Sequence, residues 1–257
     1  MKHAIFQAAS RALAAIGYRA ARYRKMFQDA PSTELRFSLL HSIGALRLRK
    51  TKADACFRFL QIGALELEEH LEPVVVARQF SDYRGILVDA QSIAVDRLRE
   101  KYGDDEKIDI VHAAVTGDGK DVVLYSIDNT DGRYRRWVEG LSSLSKEHIL
   151  KFRGQLAGVE DRIVETSVKG ATIASILESR KIESLDLFMI DAEGYDYELL
   201  RQFPFEKVRP QIVFLEHAHL GADQRQAAID FLIRHRYRIA ILSEDILAEN
   251  AEWDAPL

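Results

Sequence analysis

From residue 54 onward the chain alternates apolar runs of strand length with amphipathic segments of helix length, and this rhythm constrains its fold more than any other feature. Runs at 57–62, 85–88, 108–115, 122–127, 185–190, 211–215 and 237–242 read as strands, as does 162–168. Between them, 67–80, 92–102, 143–156, 172–180, 195–203 and 223–235 carry the three-and-four spacing of helices. Strands that alternate with helices imply βαβ units, hence an α/β domain with a mostly parallel central sheet and helices on both faces. Such sheets bind ligands beyond the carboxyl ends of their strands, near the point where strand order reverses. The residues that follow each run are therefore the first place to look for chemistry.

Residues 1–50 have a different texture. They hold ten Lys and Arg against two acids, a net charge of +8, while the remaining residues carry −12. Segments 2–27 and 33–47 read as helices, so a basic helical extension (1–50) precedes the α/β domain (51–257). Two uses of the extension are open. It packs on the acidic domain or on a second copy of the chain, giving a homo-oligomer, or it lies on an anionic membrane surface. Basic charge without interleaved aromatic residues gives no case for a nucleic-acid partner. Arg11 interrupts the apolar N-terminus, so no secretory signal is expected. The one cysteine, Cys56, has no internal disulfide partner, and a reducing compartment follows. The expected location is the cytoplasm, with peripheral contact at the inner membrane surface as the alternative.

The strand ends then supply candidates in order. Gln61-Ile62-Gly63-Ala64 closes the first run. A glycine there permits a tight turn and close approach to a ligand, although a lone one is most often a plain turn. Asp89 closes the second run, where a carboxylate can accept hydrogen bonds from both hydroxyls of a ribose; a helix cap is the bland alternative. His112, Ala113 and Ala114 close the third, leaving room for a flat ring whose edge His112 or the backbone can contact. Asp191-Ala192-Glu193-Gly194 ends the run at 185–190. Two acids ending an apolar strand are costly unless solvated, paired or bound to something. Glu216-His217-Ala218-His219 follows the next run. With Asp191 and Glu193 it can form a carboxylate–imidazole cluster, suited to a general base or to a divalent metal. His-x-His is not specific, so no metal site is assigned.

Taken together, FLQIGA (59–64), YRGILVDAQ (83–91), VHAAV (111–115), LSSL (141–144), the segment 168–177, DLFMIDAEGYDYELL (186–200) and PQIVFLEH (210–217) resemble the FkbM family of S-adenosylmethionine (SAM)-dependent methyltransferases. The resemblance spans roughly residues 55–245. It implies a Rossmann-like SAM-methyltransferase fold, SAM as cofactor, and O-methylation of a hydroxyl on a saccharide, glycan or other small-molecule acceptor. It also implies that Gln61, Gly63, Asp89, His112, Ala113, Ser142, Ser143 and Asp191 line the cofactor site. Gly63 then faces the methionine moiety and Asp89 the ribose. Asp191, Glu193 and His217 are the catalytic candidates it leaves. One departure stands out. After Gly63-Ala64 the family continues with further glycine, whereas this chain reads Leu65-Glu66-Leu67-Glu68-Glu69. A catalytically silent fold that binds a partner protein or a glycan is therefore the competing reading.

Overall fold

Along the first strand, β1 (Cys56–Ile62), Phe57 and Phe59 are buried on one side and Leu60 and Ile62 on the other. Only a strand covered on both faces needs apolar residues in both registers. The structure, a computed structural model, describes residue 42 and residues 56–64, 73–241 and 244–254. β1 lies third from one edge of a seven-stranded sheet. Parallel to it on one flank run β2 (Asp82–Asp89) and then β3 (Ile108–His112). On the other flank run β9 (Leu187–Ile190) and β10 (Ile212–Glu216), also parallel. An antiparallel strand, β12 (Asp245–Asn250), pairs with β10, and β11 (Tyr237–Ile241) forms the edge. The order is thus β11-β12-β10-β9-β1-β2-β3, a Rossmann-like sheet with one reversed strand.

Helices cover both faces. On one side α1 (Pro73–Ala77) and α2 (Ser92–Tyr102) bring Val74, Val76, Leu98 and Tyr102 against Phe57, Phe59, Leu187 and Phe214. On the other, α4 (Ile173–Ser179), α5 (Asp196–Gln202) and α6 (Ala222–Arg234) pack on Leu60, Val88, Phe188, Ile190 and Val213. Thr172 starts α4 with reciprocal bonds: its hydroxyl accepts from the Ser175 amide at 3.0 Å, and the Ser175 hydroxyl accepts from the Thr172 amide at 3.1 Å. Among the described residues no helix is long and apolar enough to cross a membrane.

Between β3 and α4 the chain builds a cap. β4 (Ala114–Val115) pairs with β8 (Gly170–Ala171), and β5 (Val122–Ile127) lies between β6 (Ser142–Ser143) and β7 (Ile163–Val168). A short helix, α3 (Lys146–Leu150), follows β6. The cap has its own apolar cluster of Ile127, Val138, Leu141, Ile149, Leu156 and Val159. Tyr134 and Arg133, in the aromatic and arginine-rich stretch before it, donate to the Ala157 carbonyl at 2.9 and 3.1 Å and so brace this cap.

Three expectations change. The run at 108–115 is two strands, because the chain leaves β2 at Ala113 to pair with β8. The segment 143–156 is not one helix: Ser142–Ser143 pair with Tyr125 and Ser126, and α3 begins only at Lys146. β12 was unmarked, since three buried apolar residues, Ile246, Leu247 and Ala248, sit between acids. The expected helices at 2–27 and 33–47, apart from Ser42, and the 67–72 part of the one at 67–80, lie outside the described residues. Within the basic region Ser42 alone is described. It is helical and buried, and its hydroxyl donates to the Glu249 carboxylate on β12.

Phe188 is fully buried on β9, its ring 4.4 Å from that of Phe203. Phe188→Ala should cost about 3–5 kcal/mol, read as a lower urea midpoint at unchanged slope.

Candidate active site

The chain runs from β1 outward to β2 and β3, then returns to the opposite flank of β1 as β9. Strand order therefore reverses between β1 and β9, and the crevice beyond their carboxyl ends is where this architecture holds ligands. Gly63 ends β1 there with φ +75, a left-handed conformation that favours glycine. A Cβ at this position would lie 1.6 Å from the Asp191 carbonyl oxygen. The two strand ends are locked together by backbone bonds. The Asp191 amide donates to the Ile62 carbonyl at 3.0 Å, and the Gly63 and Ala64 amides donate to Val88 at 2.9 and 3.1 Å.

The turn after β9 is shaped by a residue outside the predicted site. Asp196, on α5, has no exposed surface. One of its carboxylate oxygens accepts the Ala192 amide and the other the Gly194 amide, both at 3.0 Å. Between these two amides Glu193 is held at φ +51, a conformation that costs a side-chain-bearing residue on the order of 1 kcal/mol or more. Gly194 follows at φ +96, and a Cβ there would stand 3.3 Å from the His219 carbonyl oxygen and 3.6 Å from the His148 ring. A larger residue would crowd both histidines.

Carboxylates accumulate around this turn without basic partners. Among the described residues no lysine or arginine pairs with Asp191, Glu193, Asp196 or Glu216. Burial, reinforced by Asp196 and Glu193, pushes the Asp191 carboxyl up to about 8. Burial and the proximity of Asp191 push Glu216 up to about 9. Glu193 is raised by burial against the opposing pull of His219, and Asp245 is raised by burial to about 6. A site that crowds acids in this way favours a cation.

A cavity of about 230 Å³ opens above these groups. Its floor is Gly63, Asp191, Ala192 and Glu193; Asp89, Ala113 and Ala114 form a wall, and Leu124, Ser142 and Ser143 of the cap form the roof. The Asp89 carboxylate is oriented by the Gln91 amide, which donates to it at 2.8 Å. Gln91 in turn donates its side-chain amide to the Gly140 carbonyl at 2.9 Å, and Arg97 on α2 pairs with Glu139. These two contacts tie the roof to α2. The Ser143 hydroxyl accepts the Ser145 amide at 3.2 Å.

Residues 61–239 match the Methyltransferase FkbM domain family, about two thirds of the chain. The chain belongs to the FkbM methyltransferase family. Among solved structures the FkbM chain is similar to human methyltransferase-like protein 13 in complex with SAH, at 11% identity and a TM-score of 0.45 over 88% of this chain and 86% of that one. It is also similar to precorrin-6y C5,15-methyltransferase from Geobacter metallireducens GS-15, at 11% identity and a TM-score of 0.43 over 86% and 90%. No curated protein matches it significantly.

The FkbM domain brings Gly63, Asp89, Ala113, Ser142, Ser143, Asp191 and Glu193 to one cavity. Three other candidates stand off it. Gln61 is half-buried within β1, on the side of the strand that carries Phe59. His112 is exposed and its Nε2 contacts the Ala90 carbonyl at 3.1 Å. His217 is buried, and its amide donates to Glu244 at 2.7 Å. The imidazoles that reach Glu193 are others. His219 Nε2 lies 3.5 Å from Glu193 Oε2 and 3.6 Å from Glu216 Oε1. His148 Nε2, on α3, lies 4.0 Å from the same Glu193 oxygen. The sequence named His219 only within His-x-His, and nothing marked His148 or Tyr195, which lines the cavity. The glutamates Glu66, Glu68 and Glu69 lie outside the described residues.

Two substitutions probe this arrangement. Asp196→Ala leaves two turn amides without their acceptor and should cost roughly 2–4 kcal/mol, seen as a lower melting temperature. Asp191 behaves oppositely. Folded, it keeps its proton up to about pH 8, whereas the unfolded chain releases it near 3.8. The folded state then binds the extra proton, so this group's contribution weakens as pH rises through that window. Asp191→Asn should stabilise the unliganded protein above pH 8 by on the order of a few kcal/mol, and should change little near pH 4.

Proposed function

We propose that this FkbM methyltransferase transfers a methyl group from S-adenosylmethionine to a hydroxyl oxygen of a saccharide or glycan. The observation that carries the reading is Asp191: a half-buried carboxylate with no lysine or arginine partner among the described residues, at the floor of a cavity placed where strand order reverses. The donor supplies an electrophilic methyl on a cationic sulfur, a charge that suits this surplus of acids. The residues fit its other parts as well. Gly63 lets the backbone approach the methionine end closely. Asp89, held by the Gln91 amide, offers carboxylate acceptance to ribose hydroxyls, and Ala113 and Ala114 leave space for a flat base.

On the acceptor side Glu193 is the candidate base. It lines the cavity, and burial raises its affinity for a proton, which suits a group that takes one from a hydroxyl. The turn locked by Asp196 holds the Glu193 backbone fixed, and the Ser142–Ser143 roof limits the directions from which an acceptor can approach. Methyl transfer gains most from such positioning. The saccharide class rests on the family resemblance. For the basic N-terminal region we favour packing on the acidic domain or on a second copy over a membrane surface, because Ser42 is buried against β12.

Calorimetry with SAM on the full chain tests the assignment. Affinity should rise between about pH 6 and pH 9, with a proton released on binding, because a cationic ligand favours ionised Asp191. Asp191→Asn should weaken binding tenfold or more. No binding at millimolar SAM would overturn the reading and favour the silent fold that holds a partner protein or a glycan.

A further inference from the structure

His148, Glu193 and His219 come from three different elements: α3 in the cap, the turn after β9, and the loop after β10. Each offers one donor atom, and the three donors lie within 4.8 Å of one another. Glu193 is the centre, with its Oε2 between the two imidazole Nε2 atoms at 4.0 and 3.5 Å. We propose that these three side chains form a site for one divalent transition-metal ion at the rim of the cavity.

Three observations support it beyond proximity. The His148 side chain is nine-tenths buried, its Nε2 faces Glu193, and that nitrogen has no hydrogen-bond partner among the described residues. A buried ring nitrogen normally has a partner, and a metal ion is one that leaves no protein acceptor to find. Next, Glu193 holds its place by adopting a left-handed backbone conformation, kept there by Asp196. Strain of this kind persists where the surroundings enforce it, and it concentrates at ligand sites. Finally, Gly194 is the residue whose missing side chain lets the His148 ring and the His219 backbone come close to the turn.

The donor set indicates the ion. Two imidazoles and one carboxylate suit zinc, iron, cobalt or manganese and leave coordination positions open. Magnesium and calcium favour all-oxygen shells. In a tetrahedral site with bonds of about 2.0–2.1 Å the donors stand roughly 3.4 Å apart, so from separations within 4.8 Å a closure of about 1.4 Å at most seats the ion. Glu216 also faces this side of His219, its Oε1 3.6 Å from the same Nε2 and its Oε2 buried with no hydrogen-bond partner among the described residues.

A function follows if the proposed methyl transfer is right. Glu193 lines the cavity, and with the ion bound it serves as its ligand in place of acting as the base, so the open positions stand beside the place where an acceptor hydroxyl meets the carboxylates. An ion there would hold that hydroxyl or a neighbouring one and lower its pKa. The surplus of buried acids is then shared between two cations, the donor's sulfonium at Asp191 and the metal at Glu193.

Cobalt(II) is a direct probe, because a four-coordinate site with nitrogen ligands gives it strong visible absorption. Titrated into the metal-stripped full chain, Co²⁺ should bind at one equivalent with such a band, and Zn²⁺ should displace it. His219→Ala, at an exposed position, and His148→Ala should each weaken Co²⁺ binding at least tenfold. SAM affinity, measured on the same samples without metal, should stay within about twofold. Identical Co²⁺ titrations for the wild type and the His148→Ala/His219→Ala double variant would overturn the metal site, as would a wild-type chain that binds neither Co²⁺ nor Zn²⁺. Metal binding without SAM binding would instead overturn the proposed methyl transfer and leave the site standing.

Discussion

The Asp196 carboxylate, fully buried and bonded to the Ala192 and Gly194 amides, is the contact on which the geometry of this site depends. It turns an ordinary strand-to-helix connection into a rigid loop with one defined projection. Without it, nothing forces Glu193 into its left-handed conformation, and the chain would relax toward a wider turn. The cavity floor, the approach of two histidines and the packing of α5 on β9 would all shift with it. A single carboxylate thus spends two charge-assisted hydrogen bonds on backbone geometry instead of on a ligand.

The same region sets the electrostatics. Gly63 brings β1 so close to β9 that the Asp191 carbonyl fills the space a side chain would need. That closeness excludes water from beneath Asp191 and helps to raise its pKa. Acid after acid is then added by the turn and by β10, with no lysine or arginine to offset them among the described residues. In the unliganded protein Asp191 and Glu216 are held as neutral carboxyls. They are a latent negative field that a cation can draw out, which couples ligand binding to proton release.

Much of this was legible in the sequence, for identifiable reasons. The sheet was readable because buried parallel strands are apolar on both faces: 57–62 and 185–190 are mostly apolar in both registers. Gly63, Asp89 and Asp191 were readable because each stands directly after such a run, where topology puts function. What failed to show depends on distance in the chain. His148 lies 45 residues from Glu193 and sits in a segment whose pattern suggested one long helix. Only the pairing of Ser142–Ser143 with β5 shortens that helix and swings the histidine inward. His217 and His219 look equivalent in sequence, yet the first is anchored to Glu244 through its backbone and interacts with Asp245, while the second meets Glu193 and Glu216. Asp196 stands in the first turn of α5, where an acid is ordinary. Its burial, which gives it a different role, follows from the turn alone.

The cap has its own apolar cluster, separate from the two that sandwich the main sheet. Its contribution to the cavity is confined to a few roof residues, Leu124, Ser142 and Ser143 among them. Such a layout divides the molecule into a fixed reaction floor and an exchangeable ceiling. Insertions, deletions or repacking between residues 122 and 168 would be absorbed within the cap's own cluster, leaving the strand ends and their acids in register. Diversity of acceptors within one lineage is then cheap to evolve, because altering the shape of the entrance does not require rebuilding the chemistry beneath it.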